Sequence, residues 1–254
     1  MTKIFQIETT NYCNGRCSYC PTGTKKMKRT GAFISKDALE AALEIFEPCH
    51  QQVYPFNEVH AENTVELHHF GEPLIHPDIL SIVQTVRNKG IGPILGTNGL
   101  LLSLLVAQRL VHHGVHSLHV QWNRFEPLRG ILDALSMGCP VTVIVIGGLD
   151  HINTTQVEMI KDSGGTVYSK KLRNFGGEEQ FDAASLGAKN CIWLKEDWKI
   201  VLSNGTLVTC CNDYEGISNR GNINGGPIKK NEYFSLCEGC AGYAFDHDSE
   251  GEFL

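Results

Sequence analysis

Thr10-Asn11-Tyr12-Cys13-Asn14-Gly15-Arg16-Cys17-Ser18-Tyr19-Cys20-Pro21 follows directly on an apolar, strand-like run that begins at Ile4. Cys13, Cys17 and Cys20 have three and then two residues between them, a spacing that suits a metal centre better than disulfides. A structural zinc ion takes four protein ligands, so three cysteines leave one position to a borrowed histidine. An iron–sulfur cluster held by three cysteines keeps one iron open for something else. A zinc knuckle and reduced core cysteines are the competing readings, and neither requires this spacing.

The rest of the chain bounds the context. Its 254 residues can bury a full core, as one large domain or one with a small appendage. A formal charge of -6 argues against a nucleic-acid binder, because phosphate contacts need clustered Lys and Arg. Met1-Thr2-Lys3-Ile4 enters a strand at once, which leaves no room for a signal peptide, and no apolar run approaches the ~20 residues that span a bilayer. Ten cysteines then point to a reducing, cytoplasmic setting in which metal binding is a better default than disulfides.

Short apolar strands alternate with helical patterns as far as about residue 170. The strands are expected over Ile4 to Glu8, Thr64 to Phe70, Pro93 to Gly96, Ser117 to Gln121, Val141 to Ile146 and Thr166 to Ser169. Ser35 caps a helix whose apolar face is Leu39, Leu43 and Phe46, ended by Pro48. Pro77 opens the next, and Leu101 to His113 and His151 to Ser163 repeat the pattern. Such units form a barrel or an open doubly wound sheet, and either places the site at the carboxyl ends of the strands. Beyond Lys170, residues 174–187 have the Gly-rich, weakly periodic character of a linker. Asn204-Gly205 between two alternating runs from Trp198 to Cys211 then marks a hairpin.

Cys191, Cys210, Cys237 and Cys240 form a second set, with Cys237-Glu238-Gly239-Cys240 as a two-residue clip. Four cysteines taken alone read as zinc, and the loop at Cys13 shifts the reading towards a [4Fe-4S] cluster. Side chains alternate faces along a strand, so Cys210 and Cys211 should not both aim at one cluster. Cys211 is then a core residue or a thiol facing the reaction chamber. Cys49 and Cys139 read as structural. The run Lys25-Lys26-Met27-Lys28-Arg29 reads as solvated charge, and no histidine has ligand spacing; His69, beside the 70–73 stretch, is the one worth testing.

Together the cysteine loop, Phe70-Gly71-Glu72-Pro73 at the end of the second strand and the later cysteines resemble the radical S-adenosylmethionine (SAM) superfamily. The resemblance covers nearly the whole chain and is to the subgroup with a shortened SPASM, or "twitch", extension, of the 2-deoxy-scyllo-inosamine dehydrogenase type. It implies a partial (β/α)6 TIM-like barrel over residues 1–175, a linker over 176–190 and a small cysteine-rich twitch domain, hairpin plus helix, over 191–254. It also implies a [4Fe-4S] cluster on Cys13, Cys17 and Cys20 whose open iron chelates SAM. A second, auxiliary [4Fe-4S] cluster would sit on Cys191, Cys210, Cys237 and Cys240. Gly71, Glu72 and Pro73 correspond to the motif that holds the SAM amino group, with Phe70 where the family has its first glycine. Tyr19 corresponds to an aromatic residue near the adenine, and Thr97-Asn98-Gly99 to a turn beside the methionine and ribose. Gln121 and Asn123 read either as ribose binders or as solvated loop residues. Arg173, followed by Asn174, matches in character a substrate-binding position, and the trio Lys170, Lys171 and Arg173 reads equally as a solvated edge.

The activity implied is reductive cleavage of SAM to a 5'-deoxyadenosyl radical that takes a hydrogen from an unactivated carbon. Oxidation of a small polyol or amino sugar leads, with a peptide-modifying enzyme or an epimerase using Cys211 as the alternative, and a non-catalytic iron–sulfur or zinc scaffold as the reading from another class. A flavodoxin- or ferredoxin-type protein is the expected electron donor, with no nucleic acid or membrane partner.

Overall fold

The computed structural model describes residues 1–49, 63–122, 128–146, 153–170 and 191–240. They make an α/β fold in which parallel strands dominate, and they group into two units. One takes in residues 1–47, 69–71 and 191–240; the other, 48–49, 63–68, 72–122, 128–146 and 153–170. The linker expected over 176–190 lies outside the described residues.

In the second of these units, strands β3 (Thr64–Glu66), β4 (Gly92–Thr97), β5 (Ser117–Trp122), β6 (Val141–Ile146) and β7 (Thr166–Lys170) pair in parallel in chain order. The order never reverses, as a segment of a barrel requires and a doubly wound sheet does not. Helices α2 (Ile79–Asn88), α3 (Leu104–His112), α4 (Leu128–Ser136) and α5 (Thr154–Asp162) alternate with the strands. α2 packs on β4, α4 on β6 and α5 on β7. The apolar strand face carries Val65, Leu67, Leu95, Leu118, Val120, Val143 and Val167, all buried, opposite helix residues such as Val83, Val86, Ala107, Leu110, Ile131 and Ile160.

In the other unit, β1 (Thr2–Ile7) lies between β2 (Phe46–Glu47) and β8 (Lys199–Val201), parallel to both, and β8 turns back antiparallel onto β9 (Leu207–Val208). The hairpin expected at Asn204-Gly205 is there, with Leu202 N–H donating to Thr206 O at 2.8 Å. Phe5 stacks on Trp198 at 5.4 Å and meets Trp193 of α6 (Ile192–Lys195) edge-on at 5.3 Å, so three aromatics fasten α6 and β8 to β1. Asn231 Nδ2 donates to Trp193 O at 2.7 Å and Trp198 O at 2.6 Å, which fixes the chain leading to Cys237 against the same cluster.

Several boundaries differ from the sequence expectation. Helix α1 (Lys36–Glu44) starts as expected, Ser35 Oγ accepting from Ala38 N at 3.1 Å, but stops before Phe46. Phe46 instead pairs with Thr2, because an aromatic residue after a β-branched Ile45 gains a strand partner by leaving the helix. Ser103 and Asn153 cap α3 and α5, which therefore start later than Leu101 and His151. Asp78, not Pro77, precedes α2. α4 has no counterpart in the sequence expectation, where Gly130 interrupts its apolar period; it packs beside α3. The second strand ends at Glu66 rather than Phe70, and residues 69–71 group with the other unit.

Candidate functional site

The cysteine loop springs from the end of β1 and is braced from below. Thr10 pairs with Phe33, and its Oγ1 donates to Ala32 O at 2.8 Å. Asn11 Oδ1 accepts from Ala32 N at 2.7 Å while its Nδ2 donates to Thr30 O at 3.2 Å. The side chain thus binds both edges of the returning strand of chain. Cys13, Cys17 and Cys20 form no disulfide and are half-buried, and Tyr19 is half-buried too. Gly15 N–H donates to Cys13 Sγ at 3.2 Å, and Cys20 N–H to Cys17 O at 3.1 Å. Gly71 closes against this base: a Cβ there would lie 1.9 Å from Thr10 O, so only glycine fits.

Among the described residues, no three His, Cys, Asp or Glu side chains converge as ligands of one metal ion would. A cuboidal cluster asks for something else, since each thiolate binds its own iron and the sulfurs stand well apart. Three half-exposed thiols, an amide directed at one of them and no carboxylate or imidazole in the loop fit such a cluster.

Arg29 corrects the reading of residues 25–29 as solvated charge. Its guanidinium is nearly buried and grips Glu8 in a fork, Nη1 to Oε2 at 2.9 Å and Nη2 to Oε1 at 2.8 Å, while Nε donates to Tyr214 O. Ser203 adds its N–H at 3.0 Å and its hydroxyl at 2.9 Å to Glu8 Oε2. Burial alone would push the Glu8 carboxyl up; the hydrogen bonds and charge of Arg29, with His69 and the Ser203 N–H, outweigh it and hold the group below the usual carboxylate range.

Cys210 and Cys211 lie just past β9, in a turn closed by Asp213 N–H on Cys210 O at 3.1 Å. The alternation of a strand therefore does not govern them, and the argument that they must face opposite ways falls away. Cys191 precedes α6, Cys237 ends a short 3-10 turn (Ser235–Cys237), and Cys240 follows it. Burial pushes the Cys191 thiol up to about 11, against N–H groups of Leu194 and Trp193, with Cys211 and Cys240 close enough to add to the rise. Burial likewise raises Cys210, helped by Cys211 and Cys191, and raises Cys237, helped by Cys240. Asn212 Nδ2 approaches Cys240 Sγ at 3.9 Å. The structure thus gathers the four expected cysteines and Cys211 into one neighbourhood of thiols. Cys139 stands apart, buried, with its thiol pushed up to about 12 by that burial, as its structural reading requires.

In the other unit Glu72 is almost wholly buried. Its Oε1 accepts from Leu74 N at 3.0 Å and Thr97 Oγ1 at 2.8 Å, and its Oε2 from Asn98 N at 2.7 Å. Burial nonetheless wins and raises its pKa. Glu72, Thr97 and Asn98, separate in sequence, therefore form one constellation at the carboxyl end of β4, next to Pro73, which opens a 3-10 turn (Pro73–Ile75). Gln121 is half-buried on β5; Asn123, Arg173 and Asn174 lie outside the described residues.

The sequence reading missed the polar face of this sheet. Glu66 on β3 meets His119 Nδ1 on β5 at 3.2 Å, both buried, across the intervening β4. His68 lies over Gly96, its Cγ 2.7 Å from where a Cβ would be, in register with His119. The signal was available: Val65-Glu66-Leu67-His68 and Leu118-His119-Val120-Gln121 alternate, where parallel strands buried on both faces read as unbroken apolar runs.

The chain belongs to the radical SAM superfamily, whose family model matches residues 7–163, from the end of β1 to just past α5. No curated protein sequence matches it. Among solved structures it is similar to BtrN in complex with AdoMet and 2-DOIA, with 21% identity and a TM-score of 0.57 over 88% of this chain and 80% of that one. It is similar as well to Streptococcus suis SuiB bound to the precursor peptide SuiA, with 11% identity and a TM-score of 0.57 over 87% of this chain and 62% of that one. At such identities the likeness is one of fold. No described helix is long and apolar enough to cross a membrane.

Proposed function

We propose that the chain is a radical SAM oxidoreductase that oxidises a small polyol or amino sugar from alcohol to ketone. Cys13, Cys17 and Cys20 hold the first [4Fe-4S] cluster, with its open iron for SAM, and Cys191, Cys210, Cys237 and Cys240 an auxiliary one. The observation that carries this reading is the second gathering of cysteines, Cys191 before α6, Cys210 in the turn after β9, and Cys237 and Cys240 at the 235–240 turn, in a chain of this family. Alcohol to ketone removes a hydrogen atom, one further electron and a proton, and a cluster on the later cysteines would accept that electron while the proton would leave to solvent. Bound there, SAM and the clusters supply a hydrogen-abstracting 5'-deoxyadenosyl radical and an electron acceptor.

The protein's own residues bind, orient and move protons. Glu72, held rigid by Thr97, Asn98 and Leu74, takes the SAM amino group. Tyr19 packs on the adenine, and Gln121 and Asn123 take the ribose hydroxyls. Arg173 binds the substrate through its N–H donors. Glu66, His68 and His119 make one face of the sheet polar, which suits a substrate rich in hydroxyl or amino groups better than an apolar side chain. A flavodoxin- or ferredoxin-type donor in a reducing cytoplasm completes the system.

Label transfer tests the reading. From a set of deuterated polyols, amino sugars and peptides, deuterium is expected to reach 5'-deoxyadenosine from a polyol or amino sugar; transfer from a peptide instead overturns the substrate class. Cys211→Ala is expected to leave ketone formation largely intact. Continued 5'-deoxyadenosine release with loss of product would make Cys211 a hydrogen donor and the reaction an epimerisation.

A further inference from the structure

Phe70 stands where the family has a glycine, and its ring is put to use. It is buried, lies edge-on to Tyr214 with centroids 5.7 Å apart and edge-on to His69 at 4.4 Å. Cys20 and Met27 pack against the Phe70–Tyr214 pair. Thr22 Oγ1 donates to Phe70 O at 2.7 Å, so the cysteine loop is tied to the backbone of the residue that covers it.

Tyr214 is held as firmly. It follows Cys210 and Cys211 by a few residues, and Asp213, fully buried, shapes the turn that presents it. The Asp213 carboxylate accepts from the N–H groups of Gly216, Ile217 and Ser218 at 2.9, 2.9 and 2.8 Å and from Ser218 Oγ at 2.6 Å. From the other side Arg29 donates to Tyr214 O, and Lys28 N–H donates to Glu215 Oε1 at 2.7 Å. A segment anchored beside the second cysteine set is thereby fastened to residues 28–29, which follow the first.

We propose that Phe70 and Tyr214 are positioning residues that form an aromatic wall against one side of Cys20 and set the reduction potential and oxygen sensitivity of the first cluster. The inference rests on the reading of Cys13, Cys17 and Cys20 as cluster ligands. Reducing a thiolate-bound cluster adds negative charge, and a low-dielectric wall disfavours the more charged state. Solvent exposure is among the properties that set cluster potentials, and the apolar shell controls solvent access. Opening the wall therefore moves the potential in the positive direction and lets more oxygen and water reach Cys20.

The test is an anaerobic redox titration of the reconstituted full chain with SAM bound, followed by electron paramagnetic resonance, beside the rate at which cluster absorbance bleaches in air. Tyr214→Ala is expected to shift the SAM-responsive signal to a more positive potential and to speed bleaching several-fold; Tyr214→Phe, which keeps the ring, is expected to match the unsubstituted chain. Phe70→Leu, which keeps apolar bulk, is expected to shift in the same direction by less, and it decides the matter should Tyr214→Ala not fold. Unchanged potential and bleaching in the ring-removing variants overturn the wall. An unsubstituted chain that shows no SAM-responsive signal overturns instead the cluster reading beneath it.

Discussion

Replacing both Cys237 and Cys240 with alanine is expected to remove about half of the bound iron while SAM cleavage continues and substrate oxidation stops. The two proposed sites draw on separate cysteines: Cys13, Cys17 and Cys20 on a loop braced by Thr10 and Asn11, and the later ones just before α6, in the turn after β9 and at residues 235–240. Removing the clip at 237–240 leaves the Asp213 turn closed on itself and Tyr214 still fastened to Arg29, so the first loop keeps its cover. Iron analysis and chromatographic measurement of 5'-deoxyadenosine and ketone check all three expectations. Loss of all iron from a variant that still folds would show that the cysteines do not form two independent sites.

Arg29→Met carries the largest expected loss of stability. The variant leaves the Glu8 carboxylate buried with only Ser203 and the charge of His69 to answer it, and breaking a buried pair from one side costs about 3–5 kcal/mol. The pH dependence has a definite sign. In the unsubstituted chain Glu8 is held below its ordinary value, so its contribution is present above the unfolded-state pKa and is lost as pH falls through the lower folded value. Without Arg29, burial dominates and raises the group, and the variant's stability falls as pH rises. The gap between the two proteins should therefore be wide near neutral pH and narrow on acidification. Denaturant titration of both at two pH values measures it, and a gap independent of pH would contradict the buried-pair account.

Much of this was legible in the sequence because the signals were local. The cysteine spacing, the Ser35 cap and the Asn204-Gly205 hairpin are each fixed by a few neighbouring residues. What escaped was set by distant partners. Arg29 looks like any residue of a basic run until Glu8 and Ser203, far along the chain, take its charge out of solvent. Phe70 reads as the end of a strand, yet Gly71 must reach Thr10, and that contact pulls residues 69–71 away from β3. Cys211 sits beyond the end of β9 at Val208, in a turn to which strand alternation does not apply. Glu66 and His119 were visible as alternation, and only their meeting across β4 turns the pattern into a polar face.

The most direct measurement of the central claim is anaerobic reconstitution with iron and sulfide, followed by SAM and a strong reductant, with 5'-deoxyadenosine as the readout. The chain is expected to yield 5'-deoxyadenosine and its Cys17→Ala variant none. Iron held by the unsubstituted chain with no 5'-deoxyadenosine released would contradict the account and leave a metal-binding scaffold in its place.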